Sequence, residues 1–196
     1  MSTSGPCTEF PAPGLRTPFR YMSGHNATGE SVFIKTDNAD HRSVMLGGAG
    51  AQAVFYSSDS NPIDLNHDVD LEFIKNQPSL HIPNGCVVRM VDFAPGTEST
   101  LHRALALSIG TVCEGAVELS LDSGEKRILQ PGDVSVNRGA MHRWRNTSKE
   151  KPARMLFVML DVKPIVVNGK TLEFEMGKLM DEYAKYKDGE GPESTQ

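Results

Sequence analysis

Short runs with the composition of β-strands follow one another along most of this chain, separated by turns rich in glycine, proline, asparagine and aspartate. The runs lie at residues 31–35, 51–56, 86–93, 105–112, 116–121, 126–129, 134–136, 142–146 and 154–161. The turns between them include 60–62, 83–85, 95–96, 122–124 and 131–133. Because no helical pattern intervenes, the strands are expected to pair antiparallel rather than through helical crossovers. The pattern predicts an all-β fold, either a sandwich or a barrel.

One hairpin can be read in detail. Residues 117–121 alternate between apolar and polar side chains, the turn at 122–124 follows, and residues 126–129 return. Such alternation is typical of an antiparallel sheet with one face on the core and the other in water.

The two ends of the chain depart from this pattern. Residues 1–20 are expected to form a flexible arm, residues 21–186 a single domain and residues 187–196 a disordered tail. One helix is predicted before the tail, because apolar residues recur on one face: Leu172, Met176, Leu179, Met180 and Tyr183. This helix is expected to cover one face or end of the barrel, and a dimer contact is the alternative.

Charge and cysteine content exclude several classes of function. The formal net charge is -5 and no basic stripe stands out, which argues against a nucleic-acid partner. No stretch has the pattern of a secretory signal or a membrane-spanning helix. The three cysteines, Cys7, Cys86 and Cys113, form no C-x-x-C pair, which favours a reducing compartment. The sequence predicts a cytoplasmic protein without nucleic-acid or membrane partners.

Two segments, 95–115 and 132–146, each place one histidine on a strand entered through a glycine turn. Residues two apart on a strand share a face, so His102 points with Ala104, and His142 points with Trp144 and Asn146. Two imidazoles from adjacent strands can therefore converge on one point. Metal sites and acid–base sites both use this geometry.

The first segment resembles the first motif of the cupin superfamily, which contains a His-x-His pair and a glutamate. Gly96, His102 and Gly115 stand at the motif's glycine, first histidine and closing glycine. Ala104 stands where the family has its second histidine, and Ser108 where it has the glutamate.

The second segment resembles the second cupin motif, although it is one residue shorter at the front. Gly132 opens it, Asn137-Arg138-Gly139 stands where the family has Pro-x-Gly, and His142 and Asn146 follow at the family's spacing. The resemblance implies a double-stranded β-helix, the jelly-roll cupin barrel, with extra N-terminal strands and a C-terminal helix. It also implies a homodimer, since cupins commonly pair through such strands.

More narrowly, residues 21–179 are similar to a group of fungal cupins of about this length. The shared runs lie at 81–85, 88–96, 102–104 and 121–125. Some members sit beside polyketide pathways and are assigned dehydratase, decarboxylase, cyclase or isomerase steps. The resemblance therefore implies secondary metabolism and a small-molecule substrate, aromatic or polyketide-like, that carries a carbonyl group.

The metal set of the family is incomplete in this chain. The usual ligands are three histidines and a glutamate, of which His102 and His142 remain. Two imidazoles rarely hold a divalent ion, because catalytic sites usually keep three protein ligands. No cofactor is therefore expected to be required. The alternative is a divalent Zn, Fe, Mn or Ni ion bound by these histidines with a third ligand from Glu114, Glu118 or His81.

His102 and His142 are the candidate catalytic residues, because an imidazole suits proton transfer near neutral pH. The candidate substrate-binding residues are Trp144, Ser108, Arg138, Asn146 and His81. Trp144 is equally well explained by core packing, and Ser108 by a small polar filler. The roles of Arg89, Asp92 and Glu114 stay open, since strand parity cannot be carried across the turn at 95–96.

Three functions fit these residues. The first is a cupin enzyme that dehydrates, decarboxylates, cyclises or isomerises its substrate by acid–base chemistry without an obligatory metal. The second is a metal-dependent oxygenase or isomerase with a depleted ligand set. The third is a barrel that binds a small molecule without chemistry.

Overall fold

Residues 5–183, which the computed structural model describes, fold mainly into β-strands. The strands are β1 (Arg20–His25), β2 (Ser31–Asp37), β3 (Asp40–Met45), β4 (Gly50–Ser58), β5 (Cys86–Phe93), β6 (Ala106–Glu114), β7 (Val117–Leu121), β8 (Lys126–Leu129), β9 (Val134–Arg138), β10 (His142–Asn146), β11 (Ala153–Asp161), β12 (Val166–Val167) and β13 (Lys170–Thr171). The helices are α1 (Val69–Phe73) and α2 (Met180–Tyr183), with 3-10 turns at Leu46–Gly48, Asn66–Asp68 and Gly177–Leu179.

Two antiparallel sheets build the barrel. The larger has the strand order β3-β4-β5-β11-β6-β9, and the smaller has the order β10-β7-β8. Apolar side chains from both sheets meet in one buried cluster: Phe93, Val112, Val117, Leu129, Trp144, Ala153, Met155 and Phe157. The sheets therefore pack face to face, which confirms the all-β jelly-roll barrel predicted from the sequence.

The predicted hairpin is the pair β7–β8, in which Val117 lies opposite Leu129. Its outer face is less exposed to solvent than the alternation of apolar and polar residues predicts. Glu118 is 8% exposed, because its carboxylate accepts a hydrogen bond from Arg145 at 2.7 Å and lies 3.4 Å from the Lys126 ammonium. Two cations over one carboxylate shield it from water.

The first described residues pack on the outer face of the larger sheet, whereas the sequence predicts a flexible arm over 1–20. The cluster that they form with the sheet comprises Cys7, Phe10, Ala12, Ala39, Ala51, Ala53 and Ala94. The amide N–H of Ala12 donates to the Asp92 carboxylate at 2.8 Å, and that of Cys7 donates to the Gly48 carbonyl oxygen at 2.8 Å. The flexible arm is therefore a wrong prediction for these residues, because alanines on the sheet let the chain approach closely.

The extra N-terminal strands are β1 and β2, which form a two-stranded sheet of their own. Arg20 anchors this ribbon to the barrel, since its guanidinium lies 2.5 Å from Asp37 and 2.6 Å from Asp40. It also donates to the carbonyl oxygen of Phe55 on β4 at 2.9 Å. The homodimer expected from the sequence stays a prediction that the mass of the protein in solution decides.

The C-terminal helix is shorter than predicted. No helix forms over residues 172–175, and Glu175 instead forms a β-bridge in which its backbone exchanges two hydrogen bonds with that of Arg103. The helical turns begin only at Gly177, and they bury Leu179 and Tyr183 against Met45. The predicted tail at 187–196 lies outside the described residues. Between residues 5 and 183, no helix is long and apolar enough to cross a membrane.

Candidate functional site

A cavity of about 110 Å³ lies between the two sheets. Its wall is mainly apolar, and includes Val91 and Phe93 from β5 and Met159 from β11. The polar side chains on it include Arg89, Ser99, His102, Ser108, His142 and Tyr183. A single water needs roughly 10–15 Å³, so the cavity has room for a small organic molecule.

His102 and His142 meet on one wall of this cavity. The backbone N–H of His102 donates to the carbonyl oxygen of His142 at 2.8 Å, and the reverse bond measures 2.9 Å. This pair of hydrogen bonds sets the two residues directly opposite each other, and their ring centroids lie 4.3 Å apart. Both side chains are buried. The predicted convergence of two imidazoles inside the barrel is confirmed.

A carbonyl oxygen holds each imidazole in one tautomer. Nδ1 of His102 lies 2.8 Å from the oxygen of Thr100, and Nδ1 of His142 lies 2.9 Å from that of Ala140. Because a carbonyl oxygen only accepts hydrogen bonds, the proton of each neutral ring is on Nδ1. The lone pair is then on Nε2, which is left to act on a molecule in the cavity.

Burial keeps both imidazoles neutral at pH 7. Desolvation disfavours the charged form and lowers the pKa of His102. Desolvation also lowers the pKa of His142, to about 4, and repulsion from a charged His102 adds to the effect. The pair therefore presents two uncharged bases to the cavity.

We expect the protein to lose stability as the pH falls from about 6.5, the usual pKa of an unfolded histidine, towards 4. In this window the unfolded chain binds a proton at residue 142, whereas folded His142, with a pKa of about 4, does not. The stabilisation is complete above pH 6.5 and is lost progressively as the pH falls. For His142 alone the loss is on the order of 3 kcal/mol.

Urea unfolding between pH 7.5 and pH 4.5 measures this loss. His142→Gln removes the titrating group, so the free energy of unfolding of this variant should fall less steeply across the window. Equal slopes for the two proteins would show that folded His142 titrates near its ordinary pKa.

Aromatic rings extend the wall beyond the histidines. The Trp144 ring stands edge-on to the His142 ring at 5.7 Å between centroids, and Phe157 lies 5.6 Å from Trp144. Trp144 shares the face of His142, as strand parity predicts, and it lines the cavity. It also belongs to the core cluster, so it packs in the core, and its role in binding a substrate stays a prediction.

Ala104 and Ser108, at the two missing ligand positions, both line the cavity. Both side chains are small, so these two positions leave space in the cavity. Among residues 5–183, no group of three or more histidine, cysteine, aspartate or glutamate side chains is placed to hold a metal ion. Two Nε2 atoms without a carboxylate do not fit the divalent metal that the cupin resemblance implies. The third ligand considered from Glu114, Glu118 or His81 is not supplied.

Three predicted substrate-binding residues lie away from the described cavity wall. The Asn146 amide donates to the carbonyl oxygens of Ala94 at 3.1 Å and Lys151 at 2.8 Å, so it holds a turn together. Arg138 is exposed at the end of β9, and His81 lies beside Phe174 with 6.3 Å between ring centroids. Asn146 shares a strand face with His142, but it does not line the cavity, because its amide is hydrogen-bonded to these backbone carbonyl groups.

Arg89 is the cavity residue that sequence reasoning left undecided. It lies at every second position of β5 with Val91 and Phe93, so the three share one face of the strand, and all three line the cavity. Period-two alternation within β5 is the signal that could have placed it. Asp92 has the opposite parity and pairs with Arg154 on the outer face.

A family model described as the cupin domain matches residues 89–159. Over 196 residues the chain is 69% identical to the cupin-domain-containing oxidoreductase srdB of Neurospora crassa, with 100% of both chains covered. It is 47% identical over 171 residues to the cupin-domain-containing oxidoreductase virC of Hypocrea virens, covering 86% of this chain and 88% of the relative. It is 40% identical over 175 residues to phomopsin biosynthesis cluster protein D of Diaporthe leptostromiformis, covering 87% and 93%.

Proposed function

This chain belongs to the cupin family, among fungal cupin-domain proteins, and from that premise we propose that it is an enzyme that moves protons on a small carbonyl compound. The observation that carries the proposal is the pair of neutral imidazoles, 4.3 Å apart, on the wall of an apolar cavity. The proposed reaction needs no metal, since a positioned base is sufficient for it.

The step begins with transfer of a proton from the bound carbonyl compound to an imidazole on the cavity wall. Nε2 of one imidazole takes a proton from the carbon next to the carbonyl group. The electrons of that C–H bond form a C=C bond, and the carbonyl π electrons move to oxygen to give an enolate. Where a further C=C bond is conjugated with the enolate, the imidazolium returns the proton to the far carbon of that system, the C=O bond re-forms, and the isomerisation is complete. Loss of a β-hydroxyl group, which leaves with a proton as water, completes a dehydration.

The second imidazole has a different task in the same step. Its Nδ1 proton is bound to a backbone carbonyl oxygen, so its Nε2 can only accept. It is suited to accept a hydrogen bond from a hydroxyl group of the substrate and to orient the carbonyl compound. The Trp144 and Phe157 rings would hold an aromatic or polyketide-like body beside it.

Hydrogen exchange in D₂O tests the proposal without knowledge of the natural substrate. Phenylacetaldehyde and acetophenone are the probes, and NMR follows loss of the proton next to the carbonyl. We expect the protein to exchange this proton faster than buffer does. His102→Gln and His142→Gln should abolish the acceleration, whereas His25→Gln, at an exposed position on β1, should retain it. An acceleration that survives both cavity variants would overturn the proposal.

A metal-dependent oxidation is the second candidate, since two relatives are named cupin-domain-containing oxidoreductases. Metal analysis of protein purified without chelators separates it from the first. We expect well under one equivalent of metal in the wild type and close to one in the double variant Ala104→His, Ser108→Glu, which restores the donor set. Stoichiometric metal in the wild type, with activity lost on chelation, would favour the oxidation.

A further inference from the structure

Arg89 carries the one formal charge on the described wall of the cavity. Its side chain is 3% exposed, and it shares the cavity with His102 and His142. No aspartate or glutamate is among the described residues that line this space. Since both imidazoles are neutral, the wall as a whole is positive.

Neutral groups hold this guanidinium: its hydrogen bonds go to uncharged oxygen atoms, and its Cζ lies 5.5 Å from the centroid of the Tyr183 ring. Nη1 donates to Gln52 Oε1 at 3.0 Å and to the Tyr183 hydroxyl at 2.9 Å. Nη2 donates to the carbonyl oxygens of Ser79 at 2.8 Å and Leu80 at 2.9 Å. The buried Nε–H has no acceptor among residues 5–183.

The other buried arginines of the chain are compensated differently. Arg154 lies 2.6 Å from the Asp92 carboxylate, and Arg20 lies 2.5 Å from that of Asp37. No described carboxylate lies within 4 Å of Arg89. A buried charge without a counter-ion is unfavourable, because the protein interior solvates it poorly. The structure thus leaves a positive charge beside the cavity for which residues 5–183 supply no carboxylate partner.

Resting on the proposed function, we infer that the cavity binds its substrate as a small planar organic anion whose charged oxygen lies towards Arg89. The shared chemistry is a negative oxygen on an sp² carbon, which a carboxylate, a phenolate or the enolate of the proposed step supplies. An ion in this position compensates the guanidinium in a site of low dielectric constant, where the attraction is strong.

The same charge resolves a difficulty of the proton transfer. The desolvated imidazoles are weak bases, so they remove a proton from carbon only when the enolate is stabilised. Arg89 places a fixed positive charge beside the oxygen on which the negative charge develops. The residue is therefore a specificity-determining and charge-stabilising group for the same site.

Calorimetric titration with benzoate and benzamide, which match in shape and differ in charge, tests the inference. We expect the wild type to bind benzoate about 10- to 100-fold more tightly than benzamide. Arg89→Met should bind the two alike, and Arg89→Lys should keep part of the preference. Arg143→Met is the matched control, since it removes a positive charge from an exposed side chain that is not among the described residues lining the cavity, and it should keep the full preference.

Further arms separate the ligand sources and the two proposals. 4-Nitrophenol above and below its own pKa tests the phenolate, and the phenolate form should bind more tightly. Equal affinity of the wild type for benzoate and benzamide would overturn the inference, even if Arg89→Met fails to fold. Benzoate preference without any hydrogen exchange would instead reject the proposed function and leave the inference standing, because binding and exchange are measured independently.

Discussion

Replacing His102 or His142 by glutamine is expected to lower the turnover number by about 10²- to 10⁴-fold, the usual contribution of a positioned acid or base. Glutamine keeps a polar group of similar length but has no basic nitrogen. The two rings touch in one cavity and share the proton-transfer step, so the double variant should be barely slower than the slower single variant.

Steady-state kinetics with a substrate of the enzyme measures this effect. The rate of hydrogen exchange in the carbonyl probes measures it equally well. His25→Gln serves as the control, because His25 is exposed and is not among the described residues that line the cavity. Near-ultraviolet circular dichroism confirms that Trp144 keeps its packing in each variant. Cavity variants with wild-type turnover would show that the imidazoles are packing residues only.

Replacing Asp92 by asparagine should lower the free energy of unfolding by about 3–5 kcal/mol. The Asp92 carboxylate is fully buried and accepts two hydrogen bonds from Arg154, at 2.6 and 2.8 Å. Arg154 is itself 3% exposed, so the variant leaves a buried guanidinium whose remaining carboxylate is that of the half-exposed Glu114, at 3.9 Å. The same carboxylate accepts the amide of Ala12, so the N-terminal segment loses part of its anchor.

Urea unfolding at pH 7.5 measures the loss for Asp92→Asn. Arg143→Gln is the matched control, since Arg143 and Glu98 form an ion pair that is 42% and 37% exposed. Such a surface pair contributes about 0–1 kcal/mol. Similar losses for the two variants would mean that water reaches the Asp92 carboxylate and screens it.

Local patterns of the sequence predicted the parts of the fold that depend on strand parity. Parity placed His142 and Trp144 on one face, and the turn at 122–124 placed the hairpin β7–β8. Parity could not be carried from His102 back to Arg89, because Gly96 turns the chain with a φ of 67°. Only the alternation within β5, which groups Arg89 with Val91 and Phe93, could have placed it. The sequence therefore predicted the two histidines of the cavity but not its charged residue, Arg89.

Long-range contacts decided the parts that the sequence mispredicted. Nothing local distinguishes Phe10 from a residue of a free tail, and its burial depends on alanines on a distant strand. Glu175 lies within a helical pattern, yet backbone bonds to Arg103 keep it extended. Tertiary pairing outweighs intrinsic preference in segments this short.

The packed N-terminal segment gives the protein a native chemical reporter. Cys7 is 3% exposed and burial raises its pKa to about 11, so alkylating reagents meet neither an accessible sulfur nor a thiolate. Cys113 is exposed and offers an internal reference for the same reagent. The labelling rate of Cys7 relative to Cys113 therefore reports how often the segment detaches, without any engineered probe.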